Sequence, residues 1–288
     1  MLNDLKFSVL MSIYVNENPA YFRESLESIL SQTTLPSEIV LVEDGPLTTE
    51  LNKIVVEYVN KFNEMGVSFK VSQLKTNQGL GVALNYGLSN CHNELIARMD
   101  TDDLCRSDRF EKQLIFMSKN ADISVVGSDV IEFSDKPEDI YYKAMPQDNI
   151  LHFSKLRNPL CHPSVMFRKN DIIHVGNYQT CEKFEDYYLW IRVLKAGYKI
   201  ANISYPLVYM RATSAQYSRR RGVSYVHNTL TFAKAAHHIQ YFGVYTEFRF
   251  IGSRIITSCI PKVILEYIYK KKLRKKLSMI NHAWKPNL

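Results

Sequence analysis

The chain has no CxxC pair, no long apolar run and no even spread of positive charge, and each lack closes off a class of protein. Its five cysteines, Cys91, Cys105, Cys161, Cys181 and Cys259, are scattered over 288 residues. That spacing argues against a zinc site and against a disulfide framework, and reduced cytosolic thiols are the expectation. No stretch of about eighteen uninterrupted apolar residues occurs, so no membrane-spanning helix is expected. The first residues lack a basic segment followed by an apolar core, and "KFSVLMSIYV" is too short for a secretory leader. The net charge of +7 is local: Lys270, Lys271, Lys272, Arg274, Lys275 and Lys276 in "KKKLRKK" supply six charges, and the rest of the chain carries about +1. A nucleic-acid enzyme more often spreads its basic residues over a working face, so no nucleic-acid partner is expected. A clustered basic tail suits contact with an anionic surface.

What is present is enough for a large core, at 46% hydrophobic and 12% aromatic residues. Strand and helix patterns alternate. "FSVLMSIY" reads as a buried strand and "NPAYFRESLESILSQT" as a helix with Phe22, Leu26, Ile29 and Leu30 at helical spacing. "EIVLVEDG", "VSFKVSQL", "NELIARMD" and "ISVVGSDVIEF" read as further strands. "TELNKIVVEYVNKF", "GLGVALNYGLSN" and "SDRFEKQLIFMSKN" read as helices, the last with Ser107 as its N-cap. The alternation predicts an α/β fold with a mostly parallel, doubly wound sheet and helices on both faces. Ligands bind beyond the carboxyl ends of such strands. Polar residues collect there at Tyr14–Asn18, Glu43–Gly45, Asn77–Gly79 and Asp100–Asp103. From about residue 135 the pattern is mixed. From about 222 it is helical and aromatic, with Pro261 as a break.

"LIARMDTDDLC" places Asp100, Asp102 and Asp103 together directly after an apolar strand. Carboxylates this close resist ionisation unless a positive charge lies among them. Alternate residues of an extended segment can bring Asp100 and Asp102 to one Mg²⁺ or Mn²⁺. The plainer alternative is an acidic loop at a strand end, with Asp103 capping a helix.

Taken in order, "SVLMSIYVNE", "EIVLVEDG", "TNQGLGVALNYGL" and "ARMDTDDLCRSDRFEKQ" resemble the family 2 glycosyltransferases of GT-A fold, over roughly residues 5–215. "NPLCHPSVMFRK" and "EKFEDYYLWIRVLKAGYKI" extend the likeness toward bacterial enzymes of capsule, exopolysaccharide and O-antigen assembly. The resemblance implies that Asp44 bonds the uracil ring and that Tyr14 and Glu17 hold the nucleoside. It implies that Asp100 and Asp102 are the DxD pair, Asp100 toward ribose and metal and Asp102 as metal ligand, with Asp103 supporting. Asn77 and Gly79 would shape the loop beneath the nucleotide, or Gly79 opens the helix. Arg98 and Arg106 flank the acids and could neutralise phosphate; for Arg106 a salt bridge in the acidic loop is the alternative.

A carboxylate base is needed for the acceptor hydroxyl. The resemblance puts it in the "ED" pair, with Asp186 first and Glu185 second, and implies inversion at the sugar carbon. Read without the family, both acids simply favour a helix N-terminus. His162 would line the acceptor or donor-sugar side. Arg211 and Arg219–Arg221 could grip the donor or a lipid pyrophosphate, or form a solvated loop. Cys161 has no base partner, and Trp190 looks like core. The processive QxxRW signature is absent, which implies one sugar per event.

The expected organisation is a catalytic domain over 1–221, with a nucleotide-sugar half to about 134 and an acceptor half to 221. A helical, basic extension follows over 222–288. The expected activity is metal-dependent transfer from a UDP-sugar (UDP-Glc, UDP-Gal or UDP-GlcNAc) to a glycan on a lipid pyrophosphate. The expected place is the cytoplasmic face of the bacterial inner membrane, with the basic cluster on anionic lipid. Nucleotidyl transfer and a non-catalytic nucleotide-sugar adaptor are the alternatives.

Overall fold

Alternate residues of the first strand, β1 (Phe7–Ile13), serve two cores. Phe7, Val9, Met11 and Ile13 enter one apolar cluster and Leu10 enters another. A strand buried on both faces needs helices on both sides. The computed structural model, which describes residues 5–134, 139–212, 222–261, 264, 267–268 and 274–276, supplies them in turn. Helix α1 (Pro19–Leu30) starts where Asn18 Oδ1 accepts the N–H of Ala20 at 2.9 Å, and it buries Phe22, Leu26 and Ile29. Then come β2 (Glu38–Glu43), α2 (Thr49–Glu64), β3 (Ser68–Gln73), α3 (Leu80–Asn90) and β4 (Leu95–Arg98). The four strands stand in the order β3-β2-β1-β4, all parallel. Helices α1 and α2 cover one face, and α3 covers the other. Gly87 lets α3 lie close: a Cβ there would stand 2.5 Å from Leu10 Cδ1 and 2.7 Å from Val42 Cγ2.

The second half adds β5 (Leu104–Cys105), α4 (Arg109–Lys119), β6 (Ile123–Phe133), β7 (Ile140–Lys143), α5 (Ile150–Phe153), β8 (Met166–Arg168), α6 (Lys169–His174), α7 (Glu185–Lys195) and β9 (Lys199–Arg211). Here antiparallel pairs enter the sheet, with β8 joining β4 to β6. Strand β6 is long enough to carry β9 in parallel along one edge, and β8 and then β7 along the other. Helix α4 begins one residue later than a Ser107 cap would have it. The cap position is Asp108, whose carboxylate takes Arg106 Nε at 2.9 Å instead of closing the helix end, and the Ser107 carbonyl accepts from Thr33.

Helices α8 (Gly222–His238) and α9 (Val244–Cys259) pack on α7 through Tyr187, Tyr188, Ile191, Phe232, Phe242 and Phe250. Helix α9 stops just before Pro261. A short β10 (Lys275–Lys276) pairs with β7. No helix among the described residues is long and apolar enough to cross a membrane. All five cysteines are free thiols, and Trp190 is fully buried core.

Candidate active site

Because β1, β2 and β4 are parallel, they deliver their last residues to one edge of the sheet. Asp44 follows β2. Its N–H donates to the Ile13 carbonyl at 2.8 Å, and its carboxylate accepts the N–H groups of Gln78 at 2.7 Å and Gly79 at 2.9 Å. Gly45, at φ +88°, makes the approach possible: a Cβ there would fall 2.8 Å from the Asn77 nitrogen. Gly79, at φ +90°, occupies the N-cap position of α3. Asp44 and Gly79, named separately from sequence, are thus hydrogen-bonded to each other, and the Asn77 backbone packs against Gly45 beside them. Tyr14 lies exposed after β1, and its carbonyl accepts the N–H of Glu17 at 3.1 Å.

The acidic loop is held on three sides. Ser25 Oγ of α1 donates to the Asp100 carbonyl at 3.0 Å, and the buried Thr101 hydroxyl donates to Glu17. From the end of β9, the Arg211 N–H donates to Asp103 Oδ1 at 2.7 Å and its Nε to the Asp102 carbonyl at 3.2 Å. One oxygen from each of Asp100, Asp102 and Asp103 lies within 4.8 Å of the others. Burial, then the charges of Asp100 and Glu17, pushes the Asp102 carboxyl up to about 7. Burial, then Asp102 and Asp100, holds Asp103 well above the usual carboxylate range, and its Oδ2 has no partner among the described residues. Three hard oxygen donors with surplus negative charge fit a divalent cation such as Mg²⁺ or Mn²⁺.

The arginines divide. Arg98, at the end of β4, is 2% exposed and pairs with Asp100, while its Nε and Nη1 find no partner among the described residues. After burial, its charge also weighs on Tyr178 and His162. Arg106 is spent on Asp108 and lies over the Tyr205 ring at 4.3 Å, which is the salt-bridge alternative. Arg211 does not reach outward as a phosphate grip. Its Nη2 donates to Glu24 at 2.6 Å and its guanidinium lies 3.7 Å from the Tyr21 ring centre, so it braces the acidic loop from within. Arg219–Arg221 lie outside the described residues.

Glu185 and Asp186 occupy the first turn of α7. Asp186 Oδ2 accepts from Asn158 Nδ2 at 2.6 Å, and burial raises its carboxyl above the ordinary value. Burial raises Glu185 too; Glu185 Cγ would lie 3.5 Å from a Cβ at Gly81, so α7 starts beside α3. His162 Nε2 and the Tyr178 hydroxyl are 2.8 Å apart, and Tyr178 is fixed by two backbone bonds to the Asn85 side chain, at 2.7 and 2.9 Å. Burial, then Arg98, holds the His162 imidazole well below its usual value, so it is neutral at pH 7. Burial raises the Cys161 thiol, which fits no nucleophile. Thr101, Asn158, Asn85 and Tyr178 were not singled out from sequence. Thr101, Asn85 and Asn158 did lie in quoted motifs, Thr101 between Asp100 and Asp102, whereas Tyr178 lay in none.

The chain is similar to known proteins in sequence and in fold. The family model described as "Glycosyl transferase family 2" matches residues 8–176. The chain is 38% identical to the Escherichia coli UDP-Gal:alpha-D-GlcNAc-diphosphoundecaprenol beta-1,3-galactosyltransferase, over 94% of this chain and 97% of the relative. It is 34% identical to the amylovoran biosynthesis glycosyltransferase AmsE of Erwinia amylovora, over 92% and 98%. In fold it is similar to S. aureus TarS 1-349 solved with UDP-GlcNAc, at TM-score 0.65 and 18% identity over 88% of this chain and 72% of that one. It is likewise similar to the mannosyltransferase PcManGT from Pyrobaculum calidifontis, solved with GDP-Man and Mn2+, at TM-score 0.61 and 13% identity over 92% and 80%. A family model spanning more than half of the chain, an acidic loop where the fold puts its ligands, and full-length relatives above 30% identity make this chain a glycosyltransferase of family 2.

Proposed function

We propose that the chain moves one sugar, with inversion, from a UDP-sugar to a saccharide carried on a lipid pyrophosphate. The observation that supports it most is the carboxylate cluster after β4, three acids together with Arg98 paired to Asp100. The donor and acceptor named for the E. coli relative point to UDP-Gal ahead of UDP-Glc and UDP-GlcNAc, and to a lipid-linked acceptor.

In this reading Asp102 and Asp100 hold Mn²⁺ or Mg²⁺, with Asp103 behind them. A cation there would offset charge on the departing diphosphate. Asp44 keeps lone pairs for the uracil N–H beside Tyr14, and Glu17, Asn77 and Gly79 shape the same pocket. Arg98 offers its free N–H groups toward phosphate or sugar. Asp186, oriented by Asn158, takes the proton of the acceptor hydroxyl, and a raised carboxyl makes a better base than a free one. Glu185 and His162 border that side. Residues 1–221 form the catalytic unit and 222–288 an appended unit, peripheral at the cytoplasmic face of the membrane.

A panel of UDP-sugars, each with a GlcNAc-diphospholipid and with Mn²⁺ or chelator, tests this. Metal-dependent transfer from one donor, with inverted configuration by NMR, is expected. Sugar-phosphate plus UTP turnover would instead indicate nucleotidyl transfer, and UDP binding with neither hydrolysis nor transfer would indicate an adaptor.

A further inference from the structure

Helix α9 is apolar on two opposite sides. Its inner side, Phe250 and Ile251 with the stem of Arg254, closes the aromatic cluster on α7 and α8. Its outer side carries Tyr245, Phe248, Ile255, Ile256 and Cys259, which fall on one helical stripe, and Tyr245, Phe248 and Ile256 are 78%, 71% and 67% exposed. Single exposed apolar residues are ordinary, but a stripe of them opposite a buried face is not.

Charge identifies the occupant. Residues 222–288 contain eleven Lys and Arg against two acids, Glu247 and Glu266, whereas residues 1–221 contain twenty-five against twenty-seven. Glu247 is turned to His237 at 2.9 Å and does not join the outer stripe. Arg249 is exposed beside Phe248, and Ile264 and Tyr267 are exposed beyond the helix. An apolar stripe beside Arg249, on a helix whose acid is turned to the other side and in a strongly basic segment, complements an anionic lipid surface: rings enter the headgroup region while long basic side chains reach phosphate. The basic run is only partly free to help. Arg274 is taken by Glu132 at 2.6 Å, Lys275 and Lys276 are exposed on β10, and Lys270–Lys272 lie outside the described residues.

We propose that the outer face of α9 seats the enzyme in the interface of an anionic bilayer, with Tyr245, Phe248 and Ile256 entering the headgroup–acyl boundary. The purpose of such seating rests on the proposed lipid-linked acceptor. The face itself rests on exposure and charge.

The full chain is tested with vesicles of phosphatidylcholine with and without phosphatidylglycerol, against the combined variant Tyr245→Ser, Phe248→Ser, Ile256→Ser. Circular dichroism and UDP-sugar hydrolysis serve as controls for fold and site. Wild type is expected to pellet with the anionic vesicles, and the variant to bind about tenfold more weakly or worse. A separate Phe248→Trp variant is expected to show quenching by acyl-chain-brominated lipid beyond that of wild type. Equal pelleting of wild type and the triple variant, or an unquenched indole, overturns the proposal. So does a wild-type dimer in lipid-free sedimentation that the triple variant abolishes, since the face would then belong to a second copy. Vesicle binding without any UDP-sugar turnover would sink the catalytic reading and leave the docking face standing.

Discussion

Glu38, buried, and Asp102, half-buried, are carboxylates at opposite ends of the parallel strands. Burial pushes both upward, but donors separate them. Glu38 accepts from Ser8 Oγ at 2.6 Å, the His92 N–H at 2.9 Å and Lys70 Nζ at 2.9 Å, and these bonds more than offset burial, leaving it at about 2. Asp102 meets Asp100 and Glu17 instead and rises to about 7. Burial alone therefore does not mark a site in this protein. An acid left short of donors is the better candidate, because it reserves its charge for something the chain does not supply.

The difference can be attacked directly. Asp102→Asn is expected to abolish transfer, a loss of several kcal/mol of transition-state stabilisation, while thermal melting shows an intact fold. Near-normal activity of that variant in chelator would remove the metal reading. Asp186→Asn is expected to lower kcat on the order of 10²–10⁴-fold with UDP affinity kept, since a base acts on the acceptor. Collapse of UDP binding in calorimetry would make Asp186 a donor-site or folding residue.

Glu38→Gln is expected to behave in the opposite way to Asp102→Asn, costing about 2 kcal/mol of stability in urea unfolding with donor turnover little changed. The smallest effect is in pH. Asp102 is raised, so the unfolded chain releases that proton first, and metal-free stability falls as pH rises from about 4 to about 7. Glu38 is lowered, so its contribution is present above about 4 and lost as pH falls toward about 2. Saturating Mn²⁺ should therefore raise the melting temperature at pH 8 by roughly 5 °C and by less at pH 5. An equal rise at both values would argue that the triplet does not bind the ion as a charged cluster.

Local pattern carried much of the fold. Strand β6 was legible whole, as "ISVVGSDVIEF", and the first three helices lie where apolar spacing and turn residues put them. Pairing across distance was less legible. Nothing in "MFR" announces that β8 will bridge β4 and β6, because three residues have too little period to read. The triplet, Asp44 and the ED pair were visible as strand-end and helix-start acids. Arg211 was visible only as a cation, and whether a cation faces solvent or braces a loop depends on partners such as Tyr21 and Glu24, distant in the chain. The outward face of α9 was legible only as a run of apolar residues, including Ile255 and Ile256, because which side of the helix is covered depends on its packing against α7 and α8.

The brace from Arg211 has a consequence for synthesis. The N–H that fixes Asp103 belongs to a residue 108 positions later. On a ribosome, β1 to β4 and every acid of the triplet emerge well before it, and chains fold from the N-terminus as they appear. A nascent chain can thus assemble the parallel half of the sheet while its acidic loop is still unlatched. Only when β9 docks along β6 does Arg211 arrive. The loop is latched late, by the last long strand of the sheet.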